Sequence, residues 1–411
     1  FYGYWDNAIG VAGILTIAKS LHEIGYRPKH TLLFVSPDAE EFGAPDTAYG
    51  WLYGCHRLLE AHPEWAGRMT CALNIDTLAH RWQQGIQFIG PAEMLTFMRR
   101  ALAGYQVQHF PQTTVGITEQ ITPWTEVFNY TYFGIPSIQP RFKTENDFVR
   151  TTVYHTQLDD ASLVDLNGAA EILKLYGTLL LLLDQQAAVP YDFTARAQSI
   201  RQALDYSLMW RFKIDPAPLN NALDGFEQWA IETSSQLAQL NGSNQTALAA
   251  FNDDLRARLR QLLPGLYYTE TDFPDSGRYE HLFWQRDLLA LEKALACLNQ
   301  RNAAGAIAAL TDPASGVQGG WYALNVSYPV YHRSTSAARN PARADLLWGA
   351  GRTIPLTDVW TLLHELQDKA RRGLTDFASE RHNLAEKLAA AVAGYQQALE
   401  KLRLALVRAA A

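Results

Sequence analysis

At 411 residues the chain exceeds what one hydrophobic core usually serves, so about two domains are expected. It carries 35 Lys and Arg against 42 Asp and Glu, a net charge of −7, and its basic residues are dispersed. That balance argues against nucleic acid as a partner, because phosphate binding needs clustered positive charge.

From the N-terminus to about residue 190 helix and strand signals alternate. Val11, Ile14, Leu15, Ala18 and Leu21 recur at helical spacing until Gly25 and Pro28 stop the helix. Residues 31–36 form a continuous apolar run of strand length, as a parallel strand covered on both faces would show. A helix over 48–61, strands over 69–75 and 86–89, a helix over 92–103, a strand over 135–138 and a long helix over 166–186 follow. The leucine run 179–183 is too short for the ~18–20 residues of a membrane span and reads as part of a buried helix. The succession predicts an α/β domain with a mostly parallel sheet sandwiched by helices. Cys55, Cys71 and Cys297 have no metal-type spacing and an odd count, so they read as small core residues and leave the compartment open.

After Val189-Pro190-Tyr191-Asp192 the strand signals fade. Segments 193–212, 217–240, 243–262, 284–310, 354–371 and 375–409 carry helix formers at amphipathic spacing, and prolines punctuate them. An all-α helical bundle domain over 191–411 is expected after a first domain over 1–190. The basic group at 256–260 reads as a solvated helix face.

Four short segments carry the chemistry. Asp6 lies in Trp5-Asp6-Asn7-Ala8, and Glu40 and Glu41 in Asp38-Ala39-Glu40-Glu41-Phe42-Gly43 behind the apolar run. Asp76 ends a strand in Asn74-Ile75-Asp76, and His155 follows Tyr154. Each has a bland alternative. Asp6 suits a helix N-cap, Glu40-Glu41 a solvated loop, Asp76 a turn cap, and His155 is one of eleven histidines. Taken together they supply carboxylates and an imidazole able to hold divalent metal, with one carboxylate to spare. On an extended segment Glu40 and Glu41 point opposite ways, so one can ligate while its neighbour faces a substrate. His80, four residues past Asp76, is read as a loop histidine.

In this order the segments resemble the co-catalytic zinc peptidases, the family of bacterial aminopeptidases and glutamate carboxypeptidase, with the transferrin receptor as an inactive relative. The resemblance implies two zinc ions bridged by Asp6, with Glu41, Asp76 and His155 as further ligands. It makes Glu40 the general base and Tyr154 the donor to the oxyanion. The family's first histidine ligand is expected about ten residues before the bridging aspartate. That places it ahead of Phe1, so one metal site is expected to be weaker or empty in this chain. Glu126 stands where relatives carry an aspartate that orients the metal shell, and Gly134-Ile135-Pro136 matches a family segment. Arg141 aligns with one arginine of an acidic-substrate patch whose second position holds Gln139, and Arg352 and Arg333 are further substrate contacts to consider. The helical region resembles the transferrin-receptor-like dimerisation domain and implies a homodimer, and the family leans toward an exported or cell-surface setting. The expected function is a metal-dependent exopeptidase acting on peptides, an aminopeptidase before a carboxypeptidase. The alternatives are an inactive transferrin-receptor-like binding protein and a glutaminyl-cyclase-like transferase.

Overall fold

The computed structural model describes all residues except 1, 44–50, 110–114, 122–124, 144–147, 241–244, 269–277 and 339–355. By its contacts the chain divides into two compact units. Unit 1 comprises Phe1–Asp38, Arg57–Gln198 and Glu227–Leu263, and unit 2 comprises Ala39–His56, Ser199–Phe226 and Pro264–Ala411.

Unit 1 is built on a four-stranded sheet of order β1-β4-β2-β3, from β1 (Ala72–Leu73), β2 (Gly85–Gly90), β3 (Gly116–Glu119) and β4 (Ser137–Lys143). β1 runs parallel to β4 and β3 parallel to β2, while β2 and β4 are antiparallel. In central β2, Ile86, Phe88 and Ile89 are all buried, the pattern of a strand covered on both faces. Helix α1 (Ile9–Glu23) packs on α6 (Leu166–Gln185), and α6 packs on α4 (Ala92–Ala101). The sheet flanked by helices agrees with the α/β expectation.

The run 31–36 departs from it. Among the described residues this segment makes no ladder, and Leu33 and Phe34 are about half exposed. A strand exists only through a hydrogen-bonded neighbour, and no ladder among the described residues includes this run. The apolar run therefore forms no strand among the described residues. Taken whole, α6 is long and apolar enough to cross a membrane, which the short leucine run alone is not. Its inward face nevertheless buries Glu171 and Asp184 beside Ile172, Leu175 and Leu179. Asp184 is satisfied there by the Tyr26 hydroxyl at 2.6 Å and the backbone N–H groups of Lys29 and His30 at 3.0 and 2.8 Å.

Two further contacts hold unit 1 together. Gly134, at φ 76°, turns the chain from α5 (Val127–Tyr132) into β4. A Cβ there would lie 2.4 Å from the Cα of Arg260 on α10 (Gln245–Leu262), so glycine permits the close approach of the helix. Arg196 is fully buried on α7 (Phe193–Ala203), with Nε and Nη2 each 2.6 Å from the Glu93 carboxylate of α4 and Nη1 2.7 Å from Glu119 of β3. Such a buried network specifies which elements meet, and removing one partner costs roughly 3–5 kcal/mol because the other charge is stranded.

Unit 2 is helical apart from the two-residue ladder of β5 (Tyr267–Tyr268) and β6 (Arg278–Tyr279). Its centre is α11 (Glu280–Asn299) against α16 (Ala378–Ala410) and α12 (Ala303–Thr311), with α15 (Trp360–Arg371) on α12 and α16. Leu288, Leu291, Leu298, Leu363, Leu384 and Tyr395 form the buried seam. Gly394 lets α16 lie against Trp284, whose ring a Cβ would meet at 2.4 Å. The short helices α13 (Gly320–Asn325) and α14 (Tyr328–Ala338) had no strong periodic signal.

Asp287 of α11 is fully buried and accepts the Gln318 N–H at 2.7 Å. Burial pushes its carboxyl from 3.8 up to about 7, against the opposing pull of Gln318, the Thr357 hydroxyl and Arg286. The folded state thus keeps a proton that the unfolded chain releases between pH about 4 and 7. Stability contributed here is present below the unfolded value and is lost as pH rises to about 7, by on the order of 4 kcal/mol at most. Denaturant unfolding from pH 4 to 8 should show this fall, and Asp287→Asn should flatten it. Parallel pH profiles for parent and variant would contradict the assignment.

Candidate metal centre

Asp6 lies in the wide turn Tyr4–Ala8 that leads into α1, with Asp6 and Asn7 outside helical geometry. Ala8 occupies the N-cap of α1 and no side chain caps it, so Asp6 is not a capping residue there. Trp5 anchors the turn. Its indole N–H donates to the Leu78 carbonyl at 2.8 Å, and its ring stands edge-on to His80 and Tyr154 and packs on Val149, Val153 and Leu163. The Asp159 carboxylate accepts the backbone N–H groups of Trp5 and Asp6 at 2.7 and 3.0 Å.

His155 follows the turn Val149–Val153 with φ at 57°, a left-handed conformation uncommon outside glycine and found at sites that hold a side chain in a set direction. Its ring stacks on Tyr154 with centroids 3.7 Å apart, and its Nε2 lies 3.1 Å from Asp6 Oδ2. That spacing suits an imidazole N–H donating to a carboxylate. It also suits two donors sharing one tetrahedral zinc, since bonds of ~2.0–2.1 Å place neighbouring ligand atoms roughly 3.3 Å apart. The donor set, one carboxylate oxygen and one imidazole nitrogen, fits zinc.

Asp76 joins this region through Asn7. The Asn7 amide donates to the Ile75 carbonyl at 3.0 Å and its Oδ1 accepts the Thr77 N–H at 2.9 Å, so one side chain brackets Asp76 from both sides. Thr77 takes φ 60°, unusual for a β-branched residue, and is held there by that bond. The Tyr176 hydroxyl donates to the Asn74 carbonyl, and burial, with the Asp76 charge second, pushes this hydroxyl well above its ordinary value. Asn74 donates to Glu126 at 3.2 Å and to Gln139 at 3.3 Å. Burial raises the Glu126 carboxyl, with its own backbone N–H and Asn74 opposing.

Glu40 and Glu41 lie in a tight turn rather than on the extended segment expected, with Ala39 at φ 54°. The turn caps α2 (Tyr53–Ala61): Leu52, Tyr53 and Gly54 donate their N–H groups to the carbonyls of Glu40, Phe42 and Ala39. The capping satisfies donors that a helix start otherwise leaves open. The segment Ala39–His56 clusters with unit 2, whereas Asp6, Asp76, Tyr154 and His155 belong to unit 1.

The remaining candidates are placed as follows. Tyr154 is partly exposed. Arg141 lies on β4 opposite Gln87, and burial, followed by the nearby Arg150, lowers its guanidinium from the ordinary value. Gln139, at the second arginine position, is buried and accepts from Thr125 at 2.6 Å as well as from Asn74. Arg333 is exposed on α14, and Arg352 lies outside the described residues. His80 is buried, accepts the Trp82 N–H, and is pushed down to about 4 chiefly by burial. It is a neutral structural imidazole. Asn7 and Asp159 escaped sequence reasoning. Their only signals were the Asp-Asn pair beginning at Asp6 and the Asp159-Asp160 pair after His155.

The profile of peptidase family M28 matches residues 2–179, the stretch that contains every segment of the proposed metal site. The match agrees with the resemblance read from the motifs. The chain is also 25% identical over 285 residues to an Arabidopsis thaliana protein described as a probable glutamate carboxypeptidase, AMP1. That match covers 63% of this chain and 38% of the relative, so the chain spans about two fifths of the relative's length.

Proposed function

We propose that the protein is a zinc-dependent exopeptidase of the aminopeptidase type, with Asp6, Glu41, Asp76 and His155 as metal ligands. The observation that carries this reading is the 3.1 Å approach of Asp6 and His155 within the M28 segment. Asp6, Glu41, Asp76 and His155 would hold the zinc. Zinc, when bound, acidifies water and polarises a carbonyl. Glu40 takes the proton of the attacking water and passes it to the leaving amine. The Tyr154 hydroxyl donates to the oxyanion of the tetrahedral intermediate. Asn7 and Tyr176 support the loop that carries Asp76.

Aminopeptidase action is preferred because Gln139, where a second arginine would grip an acidic substrate, is spent on Thr125 and Asn74. The relative's description and the retained Arg141 favour carboxypeptidase action as the second reading. A homodimer through the helical region belongs to the same proposal, supported by the exposed Leu404 and Val407 on α16.

Hydrolysis of aminoacyl anilides and of acyl dipeptides with an acidic C-terminus, before and after chelation, tests the reading, with solution mass measured by light scattering. Aminoacyl cleavage that is lost on chelation and restored by zinc, from a dimer, is expected. Cleavage of the acyl dipeptides alone would transfer the proposal to a carboxypeptidase. Cleavage of neither would favour the inactive binding protein, and a monomeric mass would remove the dimer.

A further inference from the structure

The two ligands that approach each other, Asp6 and His155, are 149 positions apart in sequence, and the hydrogen bond between their side chains is at the metal position itself. Zinc would replace that bond, so something else must hold the two backbones at ligand spacing. One side chain is built to do so. Asp159 is fully buried, and each of its carboxylate oxygens is occupied by a backbone donor of the Asp6 turn, Trp5 on Oδ1 at 2.7 Å and Asp6 on Oδ2 at 3.0 Å.

The backbone of Asp159 belongs to the other half of the pair. Its N–H donates to the Thr156 carbonyl at 3.2 Å, closing the turn that starts one residue after His155. The Thr156 hydroxyl donates to the Val153 carbonyl at 2.7 Å and accepts the Leu158 N–H at 3.1 Å, which fixes that turn on both sides of His155. One carboxylate thus ties the two ligand loops together without using a ligand atom. Burying a polar group is costly unless it is hydrogen-bonded, and here each of the two carboxylate oxygens accepts a backbone N–H.

We infer that Asp159 is a positioning residue that sets the spacing of Asp6 and His155 for metal. This rests on the proposal that those two residues are ligands. Groups that orient ligands in this way typically govern metal affinity by 10–100-fold.

The test is calorimetric zinc titration of chelator-stripped protein, with Co2+ absorption spectra and urea unfolding recorded on the same samples. Asp159→Asn removes one of the two acceptor oxygens. Asp184→Asn is the matched control, a buried carboxylate of unit 1 that likewise accepts two backbone N–H groups but serves residues 29 and 30. Asp159→Asn should lose roughly 10–100-fold in zinc affinity and alter the Co2+ spectrum, while Asp184→Asn loses stability with its affinity within about twofold of the parent. Asp159→Glu keeps both acceptors but displaces them by a methylene. It should fold and still bind zinc more weakly than the parent, which decides the matter if Asp159→Asn does not fold. Parent-like affinity in either folded Asp159 variant overturns the inference and leaves the metal reading standing. Equal losses in the Asp159 and Asp184 variants also overturn it, as a merely structural effect. A parent that takes up no zinc overturns both.

Discussion

Glu40→Gln should lower turnover by roughly 10²–10⁴ while leaving zinc content unchanged, the scale on which a positioned general base contributes. Glutamine matches glutamate in shape and keeps an acceptor oxygen, but it cannot accept and release a proton at neutral pH. The Glu40 carbonyl accepts the Leu52 N–H, and its turn caps α2. The substitution removes the proposed proton acceptor while these backbone bonds remain available. Glu41→Gln should behave differently and lose metal, since a neutral amide oxygen is a far weaker zinc donor than a carboxylate. Steady-state kinetics on aminoacyl substrates with zinc analysis of the same samples separates the two roles. If both variants turn over at the parent rate, Glu40 is not the base.

Much of the scaffold was legible in the sequence because it is locally encoded. The apolar spacing behind α1, the long α6 and the 33-residue α16 each announced a helix of nearly the observed length. Strands were less certain. The runs 86–89 and 135–138 became β2 and the start of β4, while the equally apolar 31–36 found no neighbour. A strand depends on a partner that the segment itself does not specify. At the proposed site, the order of Asp6, Glu40-Glu41, Asp76 and His155 was readable because those residues sit in short segments that resemble a family pattern. The supporting groups were not. Asn7 acts on a loop 68 to 70 positions away and Asp159 on a turn 153 to 154 positions away. A hydrogen bond to a backbone N–H or carbonyl leaves no mark on the sequence of its partner. The same holds for Arg196, whose two glutamates lie 103 and 77 positions off on separate elements.

The second large effect falls on the proposed ligands. His155→Ala removes the nitrogen that lies 3.1 Å from Asp6, and Asp6→Ala removes the carboxylate proposed to serve both ions. Asp6 does not cap α1, and neither side chain is fully buried, so the loss should fall on metal binding before stability. Each should cost more than the 10–100-fold typical of a group that only orients a ligand. Asp6→Ala should be the worse of the two, because it would weaken both metal positions at once.

Zinc titration of the chelator-stripped protein beside its Asp6→Ala and His155→Ala variants is the most direct test of the metal centre. The expected result is saturable zinc binding by the parent, a loss beyond 100-fold in His155→Ala and no measurable binding in Asp6→Ala, with all three unfolding at similar denaturant concentrations. Parent-like zinc affinity in both variants, or no zinc uptake by the parent, would contradict it.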